Sequence, residues 1–183
     1  MHLRTERLEL IAATAEVTEA ALANPASPSE VGRLLGVVVP DGWPSDDLRD
    51  ILPGYARDAA ANPALLGWGP WLMVEASGAS PTRVVVGDVG FHSRPDDAGT
   101  VEIGYGVLPG YRRRGYATEA ARALVAWALD QPGVGRVVAE CEADNAGSIR
   151  ILEKLGMRRT GAEGNLLRWT LEGPDRLLDD PTG

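Results

Sequence analysis

One cysteine, Cys141, is too few for an intramolecular disulfide, so the 183-residue chain carries no disulfide-scaffold signature. Its opening, Met1-His2-Leu3-Arg4-Thr5-Glu6-Arg7, lacks the apolar run of a secretory leader. No later stretch approaches the apolar length that spans a bilayer. These absences make a cytoplasmic protein without membrane association the expectation. Gly-x-x-x-x-Gly-Lys-(Ser/Thr) and Gly-x-Gly-x-x-Gly are both missing, which removes the usual nucleotide loops. There is no internal repeat and no low-complexity tract, because the 22 glycines and 13 prolines punctuate the chain rather than cluster. Positive charge is scarce. Lys and Arg number 18 against 26 Asp and Glu, and a net charge of −8 argues against a nucleic-acid binder. With 44% hydrophobic and 24% charged residues, one globular domain over 1–183 with a real core is expected.

Against that acidic background, Pro109-Gly110-Tyr111-Arg112-Arg113-Arg114-Gly115-Tyr116-Ala117-Thr118 concentrates three arginines beside two glycines. It follows a strand-like segment, Thr100 to Val107, and precedes an Ala-rich helical pattern. The first N–H groups of a helix lack internal partners and sit at the positive end of its dipole. A strand, a basic Gly-containing loop and a helix start together describe an anion site, and a phosphorylated ligand is expected there. The plainer reading is a solvated loop with Gly115 as a helix-entry residue.

The rest of the pattern supplies the frame. Leu8 to Ile11 reads as a first strand, and Ala12 to Asn62 as mostly helical, broken by Pro25, Pro28, Pro40, Pro44 and Pro53. Ser45-Asp46-Asp47 is a helix start with a cap and an acidic first turn. Gly67 to Pro70 is a turn. Trp71 to Glu75 and Arg83 to Phe91 form an antiparallel hairpin around a polar loop from Ser77 to Thr82. After a turn at Asp96 to Gly99 come the Thr100–Val107 strand and a helix from Gly115 to Leu129. The latter buries Ala117, Ala121, Leu124, Val125 and Ala128 on one face. Val137 to Cys141 is a strand. Asn145 opens a second helix that stops at Gly156, and Arg158–Thr160 and Leu166–Leu171 close the chain as strands.

Arg112-Arg113-Arg114-Gly115-Tyr116-Ala117 resembles the acetyl-CoA loop of the GNAT superfamily of N-acetyltransferases, (Arg/Gln)-x-x-Gly-x-(Gly/Ala). Glu102-Ile103-Gly104-Tyr105 before it agrees, as do Asn145-Ala146-Gly147-Ser148 and Leu152-Glu153-Lys154-Leu155-Gly156-Met157 after it. Leu3-Arg4-Thr5-Glu6-Arg7-Leu8 resembles the opening of the branch acting on ribosomal-protein N-termini and small molecules. The likeness is strong over 100–161, the CoA-binding core, and vague over 12–71, a variable acceptor-side region. It implies an α/β (α+β) fold: a mixed, mostly antiparallel sheet flanked by helices, the acyl-CoA N-acyltransferase fold. A splay between the Glu102 and Cys141 strands would admit the pantetheine arm.

The resemblance also implies roles. Main-chain groups at Val107 and Leu108 would meet the pantetheine arm. Amides from Arg112 to Ala117, continuing to Thr118, would hold the pyrophosphate, with arginine side chains at the 3′-phosphate. Asn145 would touch the cofactor arm, alongside its ordinary reading as a helix N-cap. Glu102 shares a strand face with Gly104 and Gly106 and would be the general base; an ammonium must lose its proton before it attacks a thioester. On the next strand Asp88, Gly90 and His92 share a face, so His92 is a second base candidate. A Tyr common in the family as general acid is replaced by Leu152, which leaves Ser148 as the polar alternative. Cys141 reads as packing, and Trp43, Trp68 and Trp71 as core or as acceptor-pocket lining.

The expected activity is acetyl transfer from acetyl-CoA to a primary amine of a small molecule or peptide N-terminus, with no metal. A non-catalytic CoA-binding regulatory module and a nucleotide binder are the competing readings. The acceptor is not legible, and the oligomeric state, homodimer or otherwise, is equally open.

Overall fold

The computed structural model describes residues 1–23, 28–76 and 82–174. Pro25 and nearly all of the polar loop expected from Ser77 to Thr82 lie outside the described residues. Eight strands form one sheet: β1 (His2–Arg4), β2 (Leu8–Ala12), β3 (Pro70–Glu75), β4 (Val84–Phe91), β5 (Thr100–Val107), β6 (Arg136–Glu142), β7 (Arg158–Glu163) and β8 (Leu166–Glu172). Their order is β1-β2-β3-β4-β5-β6-β8-β7. Every neighbouring pair is antiparallel except β5 with β6. This is the mixed, mostly antiparallel sheet that the sequence led us to expect.

Helices cover both faces. On one side lie α1 (Ala15–Leu22), α2 (Pro28–Leu35) and α3 (Asp46–Ala61), packed on Ile11, Leu72, Val74 and Val85. On the other lies α4 (Tyr116–Leu129), where Ala117, Ala121, Leu124, Val125 and Ala128 are all buried. There it meets Leu10, Met73, Val101 and Ile103. The fifth helix, α5 (Ala146–Lys154), is capped by Asn145, whose side chain accepts from the Ser148 amide, and it stops at left-handed Gly156.

One strand has no signal in the sequence, and one local expectation needs correction. β1 is invisible to periodicity because three residues are too short for an alternation; its pairing with β2 makes it a strand. Pro53 does not break the chain but lies inside α3. It faces solvent, while Leu48, Leu52 and Ala56 bury the opposite side. The core reading of the tryptophans is borne out: Trp43 and Trp71 are 4% and 0% exposed, and Trp68 packs on Phe91 and Trp127. The start of α3 is as expected: the Ser45 hydroxyl accepts from the Leu48 amide at 3.3 Å.

What positions the site is a break in hydrogen bonding. β5 and β6 pair in parallel only from Thr100↔Arg136 to Glu102↔Val138. Beyond that rung no ladder joins Ile103–Val107 to Ala139–Glu142, and the sheet opens between them.

Candidate active site

Two cavities meet at that opening. One, of 580 Å³, runs along the 112–118 loop and the face of α5. The other, of 460 Å³, lies on the α3 side, over the faces of β4 and β5. Asp47, Tyr105, Gly106, Asn145 and Ser148 line both, and so mark the junction.

The first cavity is built for an anion. Gly115 is the N-cap of α4 with φ +86°, a left-handed conformation that glycine adopts without steric cost. Arg113 just before it has φ +64°, a strained geometry for a side-chain-bearing residue. Together they swing the chain so that the amides of Tyr116, Ala117 and Thr118, with no intrahelical acceptor, face the cavity. These open donors at a helix start fit a pyrophosphate.

The arginines do more than supply charge. Arg112 Nε donates to the Val107 carbonyl at 2.9 Å, and Arg114 Nη2 to the Gly110 carbonyl at 3.1 Å. The Leu108 amide donates to Val86, and the Leu108 side chain is core. Part of the main chain expected to meet the pantetheine arm therefore has partners already. Tyr116 is likewise core by its side chain, with its hydroxyl on Glu75, so only its backbone serves the loop.

The N-terminal motif is tied to the same loop. Arg7 Nε donates to Glu119 Oε2 at 2.7 Å and Arg7 Nη1 to the Arg114 carbonyl at 2.8 Å. Thr5 and the Arg7 amide donate to the other Glu119 oxygen. A motif whose role the sequence does not disclose thus clamps the first turn of α4.

In the second cavity the expected face is assembled. Cross-strand pairs Asp88↔Gly106 and Gly90↔Gly104 place Asp88 and His92 beside the Glu102 face of β5. His92 Nδ1 lies 3.5 Å from Glu102 Oε1. The nearby carboxylate raises the imidazole pKa, and the imidazole lowers that of Glu102. His92 and Glu102 therefore act as a pair, with Glu102 held ionised. Ser148 lies at the junction, whereas Leu152 is core at 1% exposure and offers nothing to a thiolate. Cys141 is buried at 7% and lines the second cavity.

Two groups at the junction were not singled out from sequence. Tyr105 Oη donates to the Ser148 carbonyl at 3.4 Å, and burial pushes its pKa up to about 12, keeping the phenol protonated. Asp88 is buried and its pKa is raised to about 7, by desolvation first and by Asp47 second. A lone carboxylate in the otherwise apolar run Val84 to Phe91 was the available signal.

The chain is similar to known proteins. A family model described as acetyltransferase (GNAT) domain matches residues 7–158. YjdG of Bacillus subtilis (strain 168), an uncharacterised N-acetyltransferase, is 37% identical over 122 residues, covering 67% of this chain and 70% of that protein. RimL, a ribosomal alpha-N-protein acetyltransferase in complex with coenzyme A, superposes with a TM-score of 0.64 at 16% identity, covering 94% of this chain and 98% of that one. The microcin self-immunity acetyltransferase MccE, in complex with acetyl-CoA and AMP, gives 0.60 at 16% identity over 92% and 93% of the two chains. At these identities the two structures establish a shared fold.

Proposed function

The chain belongs to the acetyltransferase (GNAT) family and is an acyltransferase; on that premise we propose that it carries acetyl from acetyl-CoA directly to a primary amine of a small molecule or peptide N-terminus. One observation carries this reading. The anion-binding cavity and the carboxylate-lined cavity meet at Asp47, Tyr105, Gly106, Asn145 and Ser148, so two substrates can be held in contact. Acetyl-CoA supplies an acyl thioester, with an electrophilic carbonyl and a sulfur leaving group.

The chain's residues divide the remaining work. The amides of Tyr116, Ala117 and Thr118 bind pyrophosphate at the start of α4, and Arg112, Arg113 and Arg114 add positive charge. Release of the Val107 carbonyl by Arg112 Nε would open it fully to a pantetheine amide and free a guanidinium for phosphate. Asn145 stays as the α5 cap and faces the arm. Glu102, kept ionised by His92, accepts the acceptor's proton through water. Ser148 and Tyr105 are the hydroxyl donors available to the departing sulfur, so a buried Leu152 does not leave the reaction without a proton source.

Calorimetry with CoA, acetyl-CoA and ATP, followed by thiol release across an amine panel, tests the reading. CoA and acetyl-CoA should bind, ATP should bind far more weakly, and cationic amines should release thiol. Tight CoA binding with no release for any amine would favour a non-catalytic module, and absent CoA binding would sink the assignment.

A further inference from the structure

The acceptor cavity has a floor that the mechanism above leaves unused. Asp88 is 9% exposed, and no side-chain hydrogen bond or ion pair holds it among the described residues. Burying an unpaired carboxylate is costly, and such groups are ordinarily paired. Its position is specific. A Cβ added to Gly106 would lie 3.3 Å from Asp88 Oδ1 and 3.7 Å from Oδ2, so the carboxylate lies over a residue that lines both cavities. At Gly104, the next position along that face, the same construction meets His92 Nε2 at 3.2 Å. Gly104 and Gly106 therefore form a side-chain-free floor on β5 running from Asp88 to the His92–Glu102 pair at the rim, while Gly90 beside them is covered by the Gly69 carbonyl, 2.5 Å from where its Cβ would lie. Four residues of strand separate the two ends, about 13 Å at ~3.3 Å per residue.

We propose that Asp88 is a catalytic residue of the acceptor site, where its carboxylate binds the acceptor's ammonium beside the thioester and takes its first proton. The charge around it selects a cation. Asp47 acts on it from α3, and Glu102 from β5, Glu140, Glu142 and Cys141 from β6 and His92 from its own strand line the same cavity farther off; among the described residues no Lys or Arg lines it. Glu140 is engaged by Arg168 at 3.0 Å and Glu102 by His92, which leaves Asp88 as the buried carboxylate without a counter-ion. The ligand class is an alkylammonium.

This assignment rests on the acetyltransferase reading and refines its proton path. The ammonium gives one proton to Asp88, and the freed nitrogen lone pair attacks the thioester carbonyl carbon. The carbon–sulfur bond breaks, and the nitrogen's second proton goes to the sulfur to yield CoA thiol. The proton on Asp88 leaves across the glycine floor, through water, to His92 and Glu102 and then to solvent. One acetamide, one thiol and one solvent proton result. With only Asp47 near it and no cation, Asp88 titrates at about 7, so the ammonium-binding form prevails above that pH.

The test uses CoA-saturated protein with n-butylammonium as probe, and then thiol release with n-butylamine and acetyl-CoA from pH 6 to 9. Carboxyl-carbon NMR should show Asp88 titrating near 7 and falling to about 6 or lower once n-butylammonium is bound. Asp88→Asn should bind n-butylammonium at least about tenfold more weakly and lower kcat/KM by about 10²-fold or more. It should also lose the pH limb near 7 while CoA affinity stays unchanged; Glu102→Gln should keep that limb. An Asp88 that titrates near 4, or a D88N protein that retains both probe affinity and pH limb, overturns the proposal alone. Wild-type protein that binds no CoA, or releases no thiol with any amine, overturns the acetyltransferase reading and Asp88 with it.

Discussion

Asp88→Asn should make the protein more stable at high pH. A carboxyl whose folded pKa is about 7, against an ordinary value of 3.8, binds more protons folded than unfolded between those values. Stability is therefore lost as pH rises from about 4 to about 7, by at most about 4 kcal/mol. The substitution removes that penalty. Thermal unfolding should show D88N and wild type nearly equal at pH 4 and D88N clearly higher at pH 8; equal midpoints at pH 8 would mean that Asp88 is not desolvated. Glu102 and His92 behave oppositely to each other. Glu102, with a lowered pKa, contributes stability above its ordinary range, and His92, with a raised one, contributes below its own. Their pair is strongest in the mildly acidic interval between. Glu102→Gln should lower kcat by about 10²-fold with little change in CoA affinity. A kcat within twofold of wild type counts against Glu102 as proton acceptor.

At the scale of elements, the loop before α4 depends on one glycine and one distant arginine. A Cβ at Gly115 would stand 3.2 Å from Arg7 Nη2, in a left-handed conformation costing a β-branched residue about 1–2 kcal/mol. Gly115→Val should therefore weaken CoA binding by tenfold or more. Arg7→Ala removes the donors to Glu119 and to the Arg114 carbonyl. It should cost about 1–3 kcal/mol of stability and also lower CoA affinity, although Arg7 is not among the residues lining the donor cavity. Calorimetry and thermal unfolding on the same variant check both halves; unchanged CoA affinity would reduce Arg7 to a stability role. The α4 and α5 boundaries, the Ser45 cap and strand β5 were legible because each carries a local signal: an apolar stripe, a capping side chain, or an alternation. β1 and the interior Pro53 were not. Their structure is decided by a neighbouring strand and by a buried helix face.

The whole molecule is a sheet in two parts, β1–β5 and β6–β8, joined by three parallel residue pairs at one end of the opening. A ligand seated in that opening binds only the folded sheet, so it should stabilise the entire domain. At 100 times its Kd, CoA should contribute about 2.7 kcal/mol. For a domain of this size that is a Tm rise of about 5–10 °C. A CoA complex melting with free protein would place the binding elsewhere.

The order of elements, the Gly115 loop at the start of α4, the caps of α3 and α5, and the family resemblance were all present in the sequence. Each depends on residues close together in the chain, where spacing alone sets which backbone groups and faces are available. The sequence also placed Asp88 and His92 on one face and Glu102, Gly104 and Gly106 on another. Only the tertiary structure set those faces side by side, through the β4–β5 register, and ended the β5–β6 ladder after Glu102. Only it withdrew Asp88 from water, joined His92 to Glu102, and tied Arg7 to a loop more than a hundred residues away. Burial, pairing and long-range clamping depend on which segments meet in space, and one-dimensional spacing does not encode that.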